Sequence, residues 1–511
     1  MRTGTSTAFT RALAHAIARE PAAAGIRPSR RRFLAGAAGL AAAAAAGPVF
    51  AGGARPRIAI VGAGIAGLNA ARTLMGFGLV PRVYEGSNRL GGRVLSASGL
   101  VAPGLVTELG AEFINTDHAD MLGLAAVFGL TLFDRTTYLG RLRLPRTIYA
   151  PGGVPMSERL LAPKVRPLAR RIALDSAAID SDASTAAAID GLSASRYLDR
   201  IRDLDPVVRR LAEATIRTEY GVEPAQSSAT QLITNAMQVR GQNVELLGAS
   251  DERFSIEGGN SRLIAAMGRE LAGLIETRRI LVGLAAAADG ATRLLFADGT
   301  STLAHVVILA LPATKVRELD LRIPLSAALR AQIAWAGRGS NEKVIAGFRG
   351  RPWVERRAFA GEVWVAEGFS EAWDSSVGQG GPASALTYFL GGAETSAVAT
   401  PAQSARTFTA LVEPAVPGLG ARATGAGFAT GWGSDPFVRG AYATFAPGQL
   451  TNPDRQAWTE DQHGDVVSSV QAGRVFFVGE HLSDDWYGYM NGAAQTGRLA
   501  AQAVRGLIAR A

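Results

Sequence analysis

Three glycines near residue 60 have the spacing of a phosphate-binding turn. Gly62, Gly64 and Gly67 form the pattern G-x-G-x-x-G directly after the apolar run 58–61, and residues 65–74 then have helical spacing. Gly62 permits a tight turn, Gly64 lets a pyrophosphate approach the backbone, and Gly67 lets the helix pack on the strand. The helix N-terminus faces the phosphate charge. The pattern predicts a strand, a turn and a helix that bind a dinucleotide.

An acid and a second glycine pair narrow the choice of dinucleotide. A second apolar run, residues 80–84, ends at Glu85, about 20 residues after the glycines, where a carboxylate would accept the ribose hydroxyls. The segment "RLGGRV" follows and contains Gly92 and Arg93. Nicotinamide-dependent dehydrogenases do not need this Gly-Gly-Arg. It resembles the glutathione-reductase-like flavoproteins, in which the arginine meets the pyrophosphate, and this resemblance favours FAD over NAD.

Composition argues against several other kinds of chemistry. Cysteine is absent, so no disulfide, Cys-ligated zinc, iron–sulfur cluster or thiol nucleophile can form. No G-x-S-x-G elbow is present, and the histidines lack metal-ligand spacing, so we expect no metal. They are His15, His118, His305, His463 and His481. Net charge is +9, but the first 54 residues hold seven Arg against one Glu, so we expect no nucleic-acid partner.

The first 54 residues have the layout of an export signal. The stretch "SRRRFLAGAAGLAAAAAAGPVFAGGA" places adjacent arginines before Phe-Leu, a short apolar Ala/Gly run and small residues. This layout predicts a twin-arginine signal peptide over residues 1–54. The apolar run is too short and Gly-rich for a stable membrane span, although an anchor helix is the alternative. We therefore expect a protein exported folded by the twin-arginine machinery, and periplasmic or secreted.

Further motifs extend the flavoprotein resemblance along most of the chain. They are "ELGAEFI" at 108–114, "FSIEGGNSRLIAAMGREL" at 254–271, "NEKVIAGF" at 341–348, "GWGSDPFVRGAYATFAPG" at 431–448 and "RVFFVGEHLSDDWYGYMNGAAQTGRLAAQAV" at 474–504. Taken together, they identify the chain as a member of the flavin monoamine oxidase family, which includes amine, polyamine and L-amino-acid oxidases. The segment "RTEYGVEPAQSSATQLI" at 217–233 resembles bacterial exported L-amino-acid oxidases and their amine-oxidising relatives.

The resemblance implies an α/β fold with two intertwined domains. A discontinuous FAD-binding βαβ domain of the glutathione-reductase-like type would comprise residues 55–135, 250–318 and 432–511. An α+β substrate-binding domain would comprise residues 136–249 and 319–431. Residues 117–244 have a mainly helical pattern, and we expect the Ala/Asp/Ser-rich stretch 175–190 to be a surface connection. A homodimer is a candidate assembly.

The resemblance also implies which residues hold the cofactor. One segment would pass beneath the isoalloxazine, a strand residue would touch the adenine, a glutamate would bind the ribityl chain, and the last helix would begin beside the flavin. These residues are Gly110, Ala111, Val282, Gly479, Glu480 and Met490. Some family members attach flavin through a cysteine at the position of Ala441. This chain has no cysteine, so we expect non-covalent FAD.

The resemblance places two aromatic rings in front of the flavin. Tyr442 and Tyr489 would form a slot that aims the amine, and Trp432 and Trp486 would shape it. Lys343 would hold a water at the flavin N5. The alternatives are ordinary core aromatics and a solvated strand lysine.

The implied reaction is oxidation of a primary amine. Hydride passes from the amine α-carbon to flavin, oxygen is reduced to hydrogen peroxide, and the imine hydrolyses to a carbonyl compound and ammonia. An L-amino-acid oxidase giving a 2-oxo acid is an alternative, and a non-catalytic flavin-binding protein is another. A desaturase or porphyrinogen oxidase is disfavoured, since Lys343 and the paired tyrosines suit amines.

The arginine that would bind a substrate carboxylate is missing from its familiar position. Venom-type L-amino-acid oxidases carry an arginine where this chain has Phe113. Glu112 beside it could meet a distal cation or bond to the backbone. Arg217, Arg253 and Arg439 are candidates to bind a carboxylate.

Overall fold

A computed structural model describes residues 56–288 and 290–510. The predicted signal peptide at 1–54 lies outside the described residues. Within the described part, no helix is both long and apolar enough to cross a membrane.

The described chain contains fifteen α-helices. In chain order they are α1 (Ile65–Gly76), α2 (Ala119–Val127), α3 (Arg135–Arg141), α4 (Glu158–Ser181), α5 (Ala183–Asp190), α6 (Ala194–Asp199), α7 (Pro206–Tyr220), α8 (Ala229–Thr234), α9 (Ser261–Glu270), α10 (Ala313–Val316), α11 (Ala327–Trp335), α12 (Pro352–Glu355), α13 (Pro401–Val412), α14 (Leu419–Arg422) and α15 (Met490–Ala509).

Twenty-six strands accompany these helices in the described residues. They are β1 (Ile58–Val61), β2 (Pro81–Tyr84), β3 (Ser96–Ser98), β4 (Val106–Glu108), β5 (Leu132–Asp134), β6 (Thr147–Tyr149), β7 (Gln238–Arg240), β8 (Asn243–Glu245), β9 (Phe254–Ile256), β10 (Ile275–Glu276), β11 (Leu281–Ala286), β12 (Thr292–Phe296), β13 (Ser301–Ala304), β14 (Val306–Leu309), β15 (Asp320–Arg322), β16 (Gly337–Arg338), β17 (Asn341–Arg349), β18 (Glu362–Glu367), β19 (Phe369–Asp374), β20 (Ala383–Gly391), β21 (Ala423–Ala429), β22 (Ala443–Thr444), β23 (Thr459–Glu460), β24 (Val466–Ser468), β25 (Gln471–Ala472) and β26 (Val475–Phe477).

A mainly parallel six-stranded sheet carries the predicted βαβ unit. Its order is β10-β2-β1-β14-β26-β25, and only the β25–β26 pair is antiparallel. All residues of β1 and β14 are buried, as expected for strands covered on both faces. The prediction of a strand, a helix and a second strand over residues 58–84 is confirmed, except that β2 begins at Pro81.

The C-terminal helix covers this sheet beside α1. The Asn69 side chain on α1 donates to the Ala494 carbonyl on α15 at 2.8 Å. A Cβ on Gly497 would lie 2.2 Å from the Ala66 carbonyl oxygen, so glycine is needed for the two helices to approach this closely. The helix that follows the phosphate-binding turn is therefore held by the last helix of the chain.

The protein has a second six-stranded sheet. Its order is β21-β17-β20-β19-β18-β6, antiparallel except for the β18–β6 pair. Helix α7 packs across β18, β19 and β20, whereas α13 packs against β17 and β21. The strands of the two large sheets fall within the ranges predicted for the two domains. The domain boundaries themselves stay a prediction.

The prediction of a surface connection over residues 175–190 is correct in that much of the stretch is exposed, but wrong in that the stretch is helical. This stretch forms the end of α4 and all of α5, and Asp175 and Asp190 are buried. Asp182 caps α5 by accepting from the Thr185 backbone N–H at 2.8 Å. Asp190 accepts from the Thr451 backbone N–H at 2.8 Å. The acids thus serve as caps and buried acceptors for distant segments, whereas their composition suggested a solvated loop.

Candidate active site

A cavity of about 620 Å³ extends from the phosphate-binding turn to the second sheet. All residues that the sequence proposed for the cofactor and for catalysis line it, except Gly67. Those lining it are Gly62, Gly64, Glu85, Gly92, Arg93, Gly110, Ala111, Val282, Lys343, Trp432, Tyr442, Gly479, Glu480, Trp486, Tyr489 and Met490. They come from segments more than 400 positions apart, and the fold brings them to one space. Their individual roles stay predictions.

The glycine turn has room for a ligand at one position only. Gly62 has φ +100°, and its Cβ would lie 2.4 Å from the Ala310 carbonyl oxygen. A Cβ on Gly67 would lie 1.9 Å from the Gly62 carbonyl oxygen. Gly67 therefore allows α1 to pack closely against the turn, and it does not line the cavity. A Cβ on Gly64 would meet nothing within 4 Å. The turn therefore fits a diphosphate in front of Gly64, at the N-terminus of α1.

Glu85 and Val282 form the part of the cavity suited to an adenosine. The Glu85 carboxylate accepts from the Ala63 N–H at 2.7 Å and from the Ser87 N–H at 2.8 Å. Each carboxylate oxygen keeps a further lone pair for a ribose hydroxyl. Val282 on β11 is 42% exposed, which is unusual for a valine, and it lines the cavity. An adenine ring is the kind of flat apolar surface that could cover it.

Arg93 and Glu480 are bonded to each other. The Arg93 Nη1 lies 2.9 Å from Glu480 Oε1 and donates to the Ala441 carbonyl at 2.5 Å. Glu480 Oε2 accepts from the Gly488 N–H at 2.8 Å. Burial raises the pKa of Glu480, but the charges of Arg93 and His481 and the hydrogen bonds from Arg93 and Gly488 together leave the pKa below its ordinary value. Both residues line the cavity, which agrees with cofactor binding, and each is held in place by the other.

The two predicted tyrosines reach the cavity from different segments and are fixed through their hydroxyls. Tyr442 donates to the Thr218 carbonyl at 2.7 Å, and Tyr489 donates to Glu219 Oε2 at 3.1 Å. Gly488 has φ +87°, and a Cβ there would approach the Tyr442 Cβ at 4.0 Å. The left-handed backbone at Gly488 therefore lets the chain pass close to Tyr442.

Trp432 and Trp486 are also held in place by contacts with neighbouring residues. The Trp432 indole N–H donates to the Leu109 carbonyl at 2.8 Å. The Trp486 ring lies edge-on to His118, with centroids 5.0 Å apart, and His118 also contacts the Tyr489 ring at 5.2 Å. Rigid aromatic walls of this kind restrict the approach of a substrate at little cost in entropy.

Lys343 is buried and fully bonded. Its Nζ donates to the Glu108 carbonyl at 3.0 Å, the Gly110 carbonyl at 2.8 Å and Glu112 Oε2 at 2.8 Å. The side chain is 5% exposed. The alternative of a solvated strand lysine is therefore wrong. An ammonium group has three donors, so a water bound to Lys343 would have to replace one of these acceptors.

The Glu112 carboxylate bonds to two side chains and not to the backbone, whereas a contact with a distal substrate cation stays a prediction. Glu112 is the counter-ion of Lys343, and its other oxygen accepts from the Trp373 indole N–H at 3.0 Å. The Lys343 Nζ also lies 5.1 Å from the Trp373 ring centroid. Because Trp373 and Lys343 lie on different strands of the second sheet, this pairing depends on strand order and is not visible in local spacing.

The arginines proposed for a substrate carboxylate are engaged elsewhere. Arg217 pairs with Glu223 at 2.9 Å, and Arg253 pairs with Asp134 at 2.7 Å. Neither lines the cavity. Arg439 does, but it pairs with Glu318 at 3.3 Å. The candidate carboxylate site is therefore not formed by these three residues.

Sequence reasoning missed three glutamates in the cavity wall. Glu219, Glu252 and Glu371 all line the cavity. Burial raises the pKa of Glu219 to about 7. Burial, followed by repulsion from neighbouring glutamates, raises the pKa values of Glu252 and Glu371. The signal for Glu371 was available, since an acid stands between apolar residues in the segment "FSEAWD", which forms a fully buried strand. No group of three or more His, Asp or Glu residues in the described chain is arranged to hold a metal ion.

Comparisons with known proteins agree with this geometry. A family model described as flavin containing amine oxidoreductase matches residues 65–505. The chain is 25% identical over 457 residues to (S)-6-hydroxynicotine oxidase of Paenarthrobacter nicotinovorans, covering 87% of this chain and 98% of the relative. It is 24% identical over 513 residues to pseudooxynicotine dehydrogenase of a Pseudomonas species, covering 92% and 94% respectively.

Two solved structures share the fold. A putrescine oxidase bound to putrescine superposes with a TM-score of 0.71 at 20% identity, covering 89% of this chain and 99% of that one. Cyclohexylamine oxidase from Brevibacterium oxydans IH-35A superposes with a TM-score of 0.73 at 22% identity, covering 89% and 100%. These likenesses confirm the predicted fold class.

Proposed function

The chain belongs to the flavin-containing amine oxidoreductases, and on that premise we propose that it is an FAD-dependent oxidase of primary amines. The oxidase would convert the amine to an imine, which hydrolyses to a carbonyl compound and ammonia, and would reduce oxygen to hydrogen peroxide. The observation that carries this proposal is the single cavity that joins the phosphate-binding turn to Lys343 and the two tyrosines.

FAD is the form of flavin that the cavity fits best. The open space at Gly64, the carboxylate of Glu85 and the exposed Val282 are suited to a diphosphate, a ribose and an adenine. Binding would be non-covalent, because the chain has no cysteine and Ala441 stands where some relatives carry one. When bound, the flavin supplies the redox chemistry, accepting the hydride and passing the electrons on.

The protein's own residues would position the amine and exclude water. Tyr442 and Tyr489, held by the Thr218 carbonyl and by Glu219, would form the walls along which the amine enters. Lys343 and Glu112 would keep a fixed charge pair at the cavity wall near Gly110. The N-terminus of α15, which begins at Met490, would stabilise negative charge nearby.

The substrate would be an amine rather than an amino acid. The three arginines considered as carboxylate ligands are each paired with an acid. Glu219, Glu252 and Glu371 are among the glutamates that line the cavity, and in their ionised form they would repel a substrate carboxylate.

An amine dehydrogenase with an electron acceptor other than oxygen is the second candidate. The three N–H groups of the Lys343 ammonium all donate to protein acceptors. None is left for the water that Lys343 would hold at the flavin N5 in an oxidase. One relative is also named a dehydrogenase.

Spectroscopy and peroxide measurement on the purified protein test these alternatives. We expect a yellow protein whose flavin absorbance is bleached by primary amines without oxygen, and which releases peroxide when oxygen is admitted. Bleaching without peroxide release would identify a dehydrogenase. Bleaching by L-amino acids alone would identify the amino-acid oxidase. No bleaching by either class would identify a non-catalytic flavin protein.

A further inference from the structure

We propose that a second, small cavity beside the active-site cavity is a binding site for dioxygen, the electron acceptor of the proposed oxidase. The inference rests on the proposed function, in which O2 accepts two electrons and two protons and leaves as hydrogen peroxide. It names the place from which the gas reaches the active site. Neither the sequence motifs nor the family assignment of this chain identifies that place.

The small cavity is enclosed by two helices and the first sheet, and its volume is about 30 Å³. Helices α10 and α11 contribute Val316 and Leu329 to its wall, whereas β14 and β26 contribute Leu309 and Phe477. These four side chains are buried members of one hydrophobic cluster. Roughly 10–15 Å³ is enough to hold one water molecule, so the small cavity has room for a diatomic gas.

The small cavity suits an apolar molecule better than it suits water. A buried water needs about two to four polar partners. The Gln332 side chain uses both of its polar ends, since it donates to the Gln456 carbonyl at 2.8 Å and accepts from the Gln456 N–H at 2.6 Å. The Thr444 hydroxyl donates to Gln231 Oε1 at 3.3 Å. Dioxygen needs no hydrogen bond, and dry apolar cavities in proteins bind small apolar molecules.

Leu311 and His481 separate the small cavity from the active-site cavity, since these two residues of the described chain line both. The His481 ring lies against Gly479, where a Cβ would approach the ring Nδ1 at 2.8 Å. Burial lowers the pKa of His481 to about 4, so the ring is uncharged at neutral pH. Its Nδ1 is buried without a hydrogen-bond partner in the described residues. The separating wall is therefore uncharged, and no hydrogen bond on this nitrogen opposes a rotation of the ring.

The small cavity adjoins the segments that carry the active-site residues. Ala443, in its wall, directly follows Tyr442, and His481 directly follows Glu480. At its other end the wall includes Trp335 of α11, which is only half-buried. A gas molecule that enters on the α11 side would reach the active site without passing between the two tyrosines, where the amine and its product lie in the proposed reaction.

Xenon binding is the first test. Xenon is apolar, binds dry apolar cavities and scatters X-rays strongly. Crystals of the flavin-loaded protein under xenon pressure should show a strong density peak in the small cavity, in contact with Val316 and Leu329. No peak there in the parent protein, or an ordered water in its place, overturns the proposal.

Two variants fill the small cavity from different helices. Val316→Leu adds one methylene group and Leu329→Phe adds a ring, so each should remove the xenon peak, and either one serves if the other fails to fold. Ala334→Leu is the matched control, because Ala334 lies on the exposed side of α11 and does not line the small cavity. It should keep the peak. A peak retained in both filled variants overturns the site.

Stopped-flow kinetics test whether the site serves the reaction with oxygen. Protein reduced anaerobically by an amine is mixed with buffers of increasing O2 concentration. We expect the filled variants to lower the second-order rate constant of flavin reoxidation by about fivefold or more. Anaerobic reduction by the amine should keep its parental rate, and Ala334→Leu should change neither rate.

Two kinetic results would overturn the proposal. One is an unchanged reoxidation rate constant in both filled variants, and the other is equal slowing of reduction and reoxidation. Failure of the oxidase itself gives a different result. The parent protein would then bind xenon but show no reoxidation by oxygen, and the amine dehydrogenase would replace the oxidase.

Discussion

At the scale of single residues, the contact between Lys343 and Glu112 has measurable energetic consequences. Both side chains are largely buried, at 5% and 11% exposure. We expect Glu112→Ala to lower the free energy of unfolding by about 3 kcal/mol, because it leaves a buried ammonium without its counter-ion. Urea denaturation of the two proteins measures the difference.

The double variant Lys343→Met/Glu112→Ala serves as the control. It removes both charges, so its stability should recover part of the loss seen in Glu112→Ala. Additive losses in the double variant would show that the two residues do not interact in solution.

Lys343 also carries a kinetic prediction. If it acts in the reaction of reduced flavin with oxygen, Lys343→Met should slow flavin reoxidation by on the order of a hundredfold. Anaerobic reduction by the amine should change much less. Stopped-flow absorbance measures the two half-reactions separately, and equal slowing of both would assign Lys343 to amine positioning instead.

Residue-level prediction worked where a motif fixed both the residue and its element. Lys343 on a strand and Met490 at the start of a helix are of this kind. It failed where the partner comes from a distant element. Glu112 finds its cation and its indole donor on two strands of the second sheet, and Glu371 meets residues of distant elements in a cavity that only the folded chain reveals.

At the scale of elements, two glycines around the start of α1 have different roles: Gly67 is needed for packing, and Gly64 leaves space for a ligand. A Cβ on Gly67 meets backbone at 1.9 Å, whereas a Cβ on Gly64 meets nothing. We expect Gly67→Ala to destabilise the protein by about 1–3 kcal/mol, since the helix must move away from the strand. Gly64→Ala should fold with nearly parental stability but retain much less flavin on purification.

The comparison of the two variants needs thermal or urea unfolding together with the ratio of flavin to protein absorbance. Loss of stability in Gly64→Ala, with flavin retained, would contradict the assignment of the open space to the cofactor.

The elements that local sequence specifies were predicted well. Residues 58–84 formed the expected βαβ unit because apolar runs and glycines act over short distances. Residues 175–190 formed helices where a connection was expected. Asp182 accepts a hydrogen bond as a helix cap, and Asp190 accepts one from Thr451, which lies far along the chain, so no local pattern carries that information.

At the scale of the whole molecule, acids whose pKa values are raised in the folded state predict how stability depends on pH. Burial raises the pKa of Glu219 from 4.5 to about 7, so the folded state holds its proton more tightly than the unfolded state. The resulting stabilisation is fully present below pH 4.5 and is lost as pH rises to about 7. It amounts to at most about 3 kcal/mol.

Glu219→Gln isolates this contribution. The difference in unfolding free energy between parent and variant should fall as pH rises between about 5 and 7.5, since glutamine does not titrate. Urea denaturation across this range measures it. A difference independent of pH would show that Glu219 is ionised throughout.

Export is a separate prediction for the whole chain. If residues 1–54 direct twin-arginine transport, Arg30→Lys/Arg31→Lys should retain the protein in the cytoplasm. Cell fractionation with antibody detection measures the distribution. An unchanged distribution would exclude this route.

The order of strands in the first sheet has a consequence for biosynthesis. β1, made early, is flanked by β2 and by β14 from residues 306–309, and β14 in turn pairs with β26 at 475–477. The helix that closes over α1 comes later still. On the ribosome, the nucleotide-binding segment therefore has β2 beside it early, but it lacks β14 until residues 306–309 are made and lacks α15 until translation is nearly finished. Flavin capture would have to follow release, so ribosome-bound chains should carry no flavin.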